Sequence, residues 1–255
     1  MNIFRIIFQK LYKLPFKLYW FICQLLNTKS LHSIYKIKLT PNFSDQTFRF
    51  CLKGTYGYQF SNFLNNQKLP FIFLDIGANQ GLFSLIAARN PLCRKAWAFE
   101  PVKSTYGMLI KNISLNKQFN KVQGIRCAIS RSNLDQVIGI TPNHSGGSSL
   151  MDDHHASITE TIHCISGVDL NDIIEVIDDE QVLIKIDTEG YEPIVIAQLK
   201  LTHFWHRITH IYIEIDANRH ADQDVVKFLI CEGFCEVFRT SSASDHFDIL
   251  MRRSH

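Results

Sequence analysis

The chain has no acidic residue before Asp45, no Cys-x-x-Cys pair, no Gly-x-Gly-x-x-Gly loop and no apolar run of membrane-spanning length. Because seven of the 27 Lys/Arg fall in residues 1–44, the remainder holds 20 basic residues against all 24 acidic ones. A body of net negative charge argues against nucleic acid as a partner, since phosphate binding needs a basic face. Seven cysteines, an odd number scattered through apolar runs, do not form a disulfide framework and fit a reducing, cytoplasmic compartment. Cys231 and Cys235, either side of Gly233, are expected as buried thiols. The longest uncharged stretch of the N-terminal segment, residues 18–28, falls far short of the roughly 20 apolar residues that span a bilayer, and no small-residue cleavage site follows it.

What is present is the composition of a globular chain: 255 residues, 46% hydrophobic and 20% charged. Residues 2–26 carry Ile3, Phe4, Ile7, Leu11, Leu14, Leu18, Phe21, Ile22 and Leu25 on one helical stripe opposite Arg5, Lys10, Lys13 and Lys17, with a kink expected at Pro15. Such a helix either lies in an anionic membrane surface or packs on the domain. Residues 33–39 and 47–52 read as strands and residues 58–64 as a short helix. Together, residues 1–66 form an N-terminal extension ahead of a domain at 67–255, with the boundary at the turn Lys68-Leu69-Pro70.

From Phe71 the segments alternate: strand 71–76, helix 81–89, strand 95–99, helix 103–115, strands near 122–129 and 135–140, helix 168–176, strand 181–187, helix 192–199, strand 208–215 and helix 222–231. That rhythm predicts an α/β fold with a doubly wound, mostly parallel seven-stranded sheet. Residues 234–239 and 247–252 are two strands with no helix between them, so the last strand is expected to run antiparallel.

Residues 71–76 show no polar alternation, as in a strand covered on both faces, and they run into Gly77-Ala78-Asn79-Gln80-Gly81 before a helix. Glycine permits a sharp turn and close approach of a ligand, and the helix N–H groups favour a polar or anionic group. Asp75, at the end of the strand, is placed to accept hydrogen bonds from that ligand. Glu100-Pro101 follows the second strand, nineteen residues past Gly81, where an acid can bind the two hydroxyls of a ribose. With Asn at 79, the turn lacks the glycine spacing that accommodates a pyrophosphate, which favours S-adenosylmethionine over a nicotinamide dinucleotide. In residues 182–192, strand alternation puts Lys185, Asp187 and Glu189 on one face, at the carboxyl end where ligands bind in such sheets. A structural Lys185–Asp187 ion pair is the alternative reading.

Here the sequence resembles the FkbM-type methyltransferases, class I S-adenosylmethionine-dependent enzymes with a Rossmann-like fold. The resemblance spans roughly residues 70–252. It rests on Leu-Asp-Ile-Gly-Ala-Asn-Gln-Gly (74–81), Phe-Glu-Pro (99–101), Ala-Ile-Ser (128–130), Gly-Gly-Ser-Ser-Leu (146–150), Leu-Ile-Lys-Ile-Asp-Thr-Glu-Gly-Tyr-Glu (183–192) and Ile-Glu-Ile (213–215). It implies that Asp75, Gly77, Ala78, Asn79 and Gly81 cradle the methionine and ribose parts of the donor, that Glu100 and Pro101 border the ribose, and that Ala128 and Ile129 lie along the adenine. The family implication is O-methylation of a sugar, glycan or secondary metabolite.

The expected reaction moves a methyl group to a hydroxyl oxygen, with Asp187 and Glu189 as the best-placed acids and Lys185 or a loop histidine (His144, His154, His155) as the alternative base. Asp187 and Glu214, at strand ends, would suit Mg²⁺, but no resident metal is assigned. His203, His206 and His210 have helix-like spacing, yet Phe204 and Trp205 between them point to packing. The rival readings are a nicotinamide oxidoreductase and a membrane-recruited protein that binds the cofactor without turnover.

Overall fold

The computed structural model describes residues 16–26, 28–150, 158–216, 225–241 and 245–254. Along the chain these form α1 (Phe16–Leu25), β1 (Leu31–His32), β2 (Lys38–Leu39), α2 (Gln46–Lys53), α3 (Tyr58–Asn65), β3 (Phe71–Ile76), α4 (Leu82–Arg89), β4 (Cys93–Phe99), α5 (Lys103–Asn116), β5 (Val122–Ile125) and β6 (Ala128–Ile129). There follow β7 (Gln136–Ile140), β8 (Ile158–Ile162), β9 (Cys164–Ile165), α6 (Leu170–Ile173), β10 (Gln181–Ile186), α7 (Glu192–Leu199), β11 (Ile208–Asp216), α8 (Val225–Cys231), β12 (Phe234–Arg239) and β13 (His246–Arg253).

Seven strands make one sheet in the order β12-β13-β11-β10-β3-β4-β5. β5, β4, β3, β10 and β11 run parallel, and β13 is antiparallel to both of its neighbours. This is the doubly wound, Rossmann-like sheet with a reversed strand near one edge that the alternation implies. All six residues of β3 are buried, because helices cover both faces of the central strand.

The N-terminal part departs from expectation. Residues 33–39 do not make one strand; β1 and β2 are two-residue strands paired antiparallel around a turn in which Lys36 takes φ 62°. Residues 47–52 are helical. The Asp45 carboxylate accepts the Phe48 N–H at the start of α2, Gly54 closes the helix in the left-handed conformation, and Phe48, Cys51 and Leu52 form a buried face. The short alternation that suggested a strand fits a helix equally well, and the caps decide for the helix. Of the helix expected at 2–26, α1 is the described part; Pro15 and the residues before it lie outside the described residues.

The core runs across residue 66. Leu31, Ile37, Leu39, Phe48, Leu52, Phe60 and Leu64 share one core with Phe73, Phe83, Leu85 and Tyr212. The Phe60 ring stacks on Tyr212 at 4.0 Å and 3°. Residues 31–65 thus pack as a layer on the sheet.

Further expectations change. β8 pairs antiparallel with β7 in a small separate sheet, and the helix expected over 168–176 is the single turn α6. Cys231 is exposed and Cys235 half-buried, against the expectation of buried thiols, while Cys23, Cys51, Cys93, Cys127 and Cys164 are buried. Among the described residues, no helix is long and apolar enough to cross a membrane.

Candidate active site

A cavity of about 570 Å³ opens at the carboxyl ends of the parallel strands. On the β3–β4 side it is lined by residues 77–80, Leu82, residues 99–102, residues 127–129 and Ile138. On the β10–β11–β13 side it is lined by Lys185, residues 187–189, Tyr191, Glu214 and residues 246–248, with Thr47, Phe50, Cys51 and Tyr56 from the N-terminal layer. The crevice lies where ligands bind in open parallel sheets.

The glycine turn is shaped by the protein itself. Gly77 sits at φ 75°, and a Cβ there would stand 1.8 Å from the carbonyl oxygen of Asp187, so glycine is required where the β3 turn tucks against the end of β10. Gly81, at φ 83°, opens α4 with Leu109 beneath it, and it supports the turn without lining the cavity. Asp75 also lies beneath. It is fully buried, does not line the cavity, and its Oδ2 accepts the Ser84 backbone N–H at 2.9 Å and the Ser84 hydroxyl at 2.6 Å. The ligand contact expected of Asp75 is therefore corrected: this carboxylate caps α4 from the adjacent strand. Burial raises its pKa against the opposing pull of Lys185 and Ser84.

Glu100, Pro101, Ala128 and Ile129 line the cavity. Glu100 is buried, with Oε2 accepting Asn79 N–H and Oε1 accepting Val102 N–H, each at 3.0 Å. Burial pushes its pKa up to about 7, with the two N–H bonds opposing the shift. Each oxygen retains a second lone pair for a ligand hydroxyl.

The Lys-Ile-Asp-Thr-Glu-Gly-Tyr-Glu string divides its labour. Lys185 donates to the Gly77 carbonyl at 2.8 Å and lies 3.1 Å from Asp187 Oδ2 and 3.8 Å from Asp75 Oδ1. Burial lowers its pKa, but the charges of Asp187 and Asp75 outweigh that effect and the net shift is upward, so the amine stays protonated. The alternative of Lys185 as base is thereby corrected, and the ion pair with Asp187 is present. At Asp187, burial acts to raise the pKa, while Lys185, the Tyr56 hydroxyl and Glu214 outweigh it and hold the carboxyl ionised. Glu189 follows in the left-handed conformation, φ 56°, because the strand has ended and the chain is turning. Glu192 is fully buried and braces that turn, accepting Thr188 N–H and Gly190 N–H.

Glu214, Asp248, His246 and Tyr56 complete this end, and of these the sequence suggested only Glu214. Burial and then the charges of Asp187 and Glu189 push Glu214 up to about 10, and burial and Asp187 push Asp248 up to about 6. Glu214 thus holds a proton beside an ionised Asp187, as in other paired carboxyl groups whose environments separate their pKa values. His246 Nε2 lies 3.0 Å from Glu214 Oε1. The ligand oxygens of Asp187, Glu189 and Glu214 lie within 4.8 Å of one another. The Lys185 ammonium already serves as the cation of this group, and we assign no metal.

Among the loop histidines, His144 lines the cavity, whereas His154 and His155 lie outside the described residues. His203 packs edge-on against Phe204 and His210 tilts against Phe63, in keeping with packing.

A model of the methyltransferase FkbM domain matches residues 75–250. Methyltransferase sdnD of Sordaria araneosa is 35% identical over 103 residues, 40% of this chain and 38% of that protein. Methyltransferase 1 of Beauveria bassiana (strain ARSEF 2860) is 28% identical over 160 residues, 56% of this chain and 63% of that protein. The chain thus spans less than two thirds of either relative. Similar solved structures include TrmK of M. capricolum with S-adenosyl-homocysteine, at 12% identity and a TM-score of 0.44, covering 77% of this chain and 66% of that one. An rRNA methylase of Streptococcus thermophilus gives 12% identity and a TM-score of 0.47, covering 78% of this chain and 96% of that one.

Proposed function

The chain belongs to the methyltransferase FkbM domain family, and on that premise we propose that it moves a methyl group from S-adenosylmethionine to a hydroxyl oxygen of a small molecule or glycan. The observation that carries this reading is a single cavity lined by both the glycine turn with Glu100 and the Asp187 carboxylate. Residues 77–80, Glu100, Pro101, Ala128 and Ile129 would hold the donor, and the buried Glu100 carboxylate with its unused lone pairs suits two ribose hydroxyls. When bound, the donor supplies a methyl group activated by a sulfonium.

The chain's own residues align the acceptor and exclude water. Phe83, Phe99, Ile129 and Leu150 give the cavity apolar walls. Asp187, held ionised, accepts the hydroxyl proton as oxygen becomes the nucleophile, and Glu189 lies within reach of the same group. Lys185 stays charged and fixes Asp187. Five carboxyl groups against one lysine in the cavity lining, and the acidic balance of residues 45–255, favour a small-molecule or glycan acceptor over a polyphosphate such as nucleic acid.

The test is transfer of isotopically labelled methyl from the donor to a panel of hydroxyl, amine, carboxyl and RNA acceptors, with the methylated atom located by NMR. Label on hydroxyl oxygen of a small molecule or glycan is the expected result. Label only on nitrogen, carbon or RNA would overturn it.

A second reading concerns location. α1 buries Cys23 but exposes Leu18, Phe21 and Leu25, and Leu26 just after it is exposed too, within a segment of seven cations and no acids. This favours peripheral contact with an anionic membrane at the cytoplasmic face. Co-sedimentation with anionic vesicles, lost at high salt and absent with neutral vesicles, is the expected outcome. Equal behaviour of the full chain and one starting near residue 27 would refute it.

A further inference from the structure

Residues 45–58 precede the part of the chain that matches the family domain, yet they build one wall of the cavity. They are stitched to it at several points. Asp45, besides capping α2, accepts the Ser145 N–H and hydroxyl at 2.9 Å each and pairs with Gln80 of the glycine turn. The Thr47 hydroxyl accepts Gly146 N–H at 2.9 Å. Tyr56 is fixed twice over: its carbonyl accepts the Tyr35 hydroxyl, and its ring packs on Phe83 at 5.6 Å. Gly57, at φ 68°, has no room for a Cβ against the Phe83 ring, so the chain is held close at this point.

From that position the Tyr56 hydroxyl donates to Asp187 Oδ2 at 2.7 Å, the same oxygen that Lys185 approaches at 3.1 Å. Burial and the Asp187 charge raise the Tyr56 pKa well above its ordinary value, so the hydroxyl acts as donor. Both donors address Oδ2, and the protonated Glu214 carboxyl is a third hydrogen-bonding group on Asp187. We infer that Tyr56 is a positioning residue: with Lys185 it clamps Asp187 Oδ2 and fixes the carboxylate at the cavity wall where the acceptor hydroxyl must meet it, so that the N-terminal layer completes the reaction centre. This deepens the methyltransferase reading and rests on it.

The titratable groups around Asp187 are Lys185 and Glu189 on its own segment, Cys51 from α2, Asp75 from β3, the protonated Glu214 and Tyr212 from β11, and Asp248 with His246 beside Glu214 from β13. Tyr56 supplies a neutral hydrogen-bond donor among them, and its removal leaves the net charge unchanged. In Tyr56→Phe the carboxylate loses one hydrogen bond that favours its ionised form, so the Asp187 pKa rises. The ascending limb of kcat/KM against pH should then move to higher pH and kcat should fall at least about tenfold, with KM and S-adenosylhomocysteine affinity nearly unchanged and Tm lowered only by the loss of one hydrogen bond to a buried charge.

A measurement independent of turnover reads the same contact. In ¹³C-tyrosine NMR of the full chain bound to S-adenosylhomocysteine, the Cζ resonance absent from Tyr56→Phe belongs to Tyr56. Asp187→Asn should lower the pH at which that resonance titrates. A Tyr56→Phe enzyme with an unmoved pH profile, or a Tyr56 resonance indifferent to Asp187→Asn, overturns the inference. If the wild type transfers no methyl group to any hydroxyl, the methyltransferase reading fails, and the NMR result still decides whether Tyr56 acts on Asp187.

Discussion

Replacing Glu100 with Gln removes one charge from the buried carboxyl beneath the glycine turn. In the protein without cofactor, burial holds the Glu100 pKa at about 7, up from 4.5. That rise corresponds to about 3 kcal/mol of preference for the protonated form. Since the folded pKa lies above the unfolded one, this stabilising contribution is full below pH 4.5 and is lost as pH rises through 7. Ribose hydroxyls donate to the ionised carboxylate and draw its pKa back down, so binding favours the deprotonated form. Wild-type affinity for S-adenosylhomocysteine should therefore rise with pH and level off above 7. At pH 5.5 only about 3% of Glu100 is ionised, which predicts binding about 30-fold weaker than the plateau. Glu100→Gln should bind at least about tenfold more weakly than the wild-type plateau, having exchanged charge-assisted bonds for neutral ones, and with no slope across this range. Isothermal calorimetry at four pH values between 5.5 and 8.5 measures both effects. A flat wild-type profile, or a variant that binds as tightly as wild type at pH 8, would refute the assignment of Glu100 to the ribose.

Other substitutions separate chemistry from architecture. Asp187→Asn keeps shape and most hydrogen bonding; it should fold, bind S-adenosylhomocysteine and lose about 10²–10⁴-fold in methyl transfer, whereas a large fall in Tm would make the Lys185 pair structural only. Gly77→Ala forces a Cβ against the Asp187 carbonyl in a left-handed conformation and should cost roughly 2–6 kcal/mol in urea denaturation; wild-type stability would show that the turn can yield. Phe60→Ala removes a buried ring stacked on Tyr212 and should cost about 3–5 kcal/mol in a single cooperative transition. A separate early transition would instead mean that residues 31–65 unfold as an independent unit.

The sequence by itself determined the sheet and which of its turns open at the crevice. Apolar runs that alternate with helical segments admit few arrangements, since each strand must bury both faces and each crossover must return in parallel. Gly77 and Glu100 were placed at the crevice for the same reason, because position along a strand of a doubly wound sheet fixes what reaches its carboxyl end, whereas Ala128 and Ile129, in the separate β6–β9 pair, came only from the family resemblance. Asp75 was misread because sequence gives its place at the end of β3 but not the nearby Ser84 N–H that claims its carboxylate. Residues 47–52 were misread because six residues of alternation carry no period that separates strand from helix, and the deciding caps at Asp45 and Gly54 lie outside them. Tyr56, His246 and Asp248 come from elements up to about two hundred residues apart in the chain. Only the folding of the N-terminal layer onto β11, and of β13 beside β11, brings them to Asp187. The pKa values of that group were likewise settled by tertiary structure, because desolvation and the charges of spatial neighbours, rather than residue type, decide which carboxyl keeps its proton.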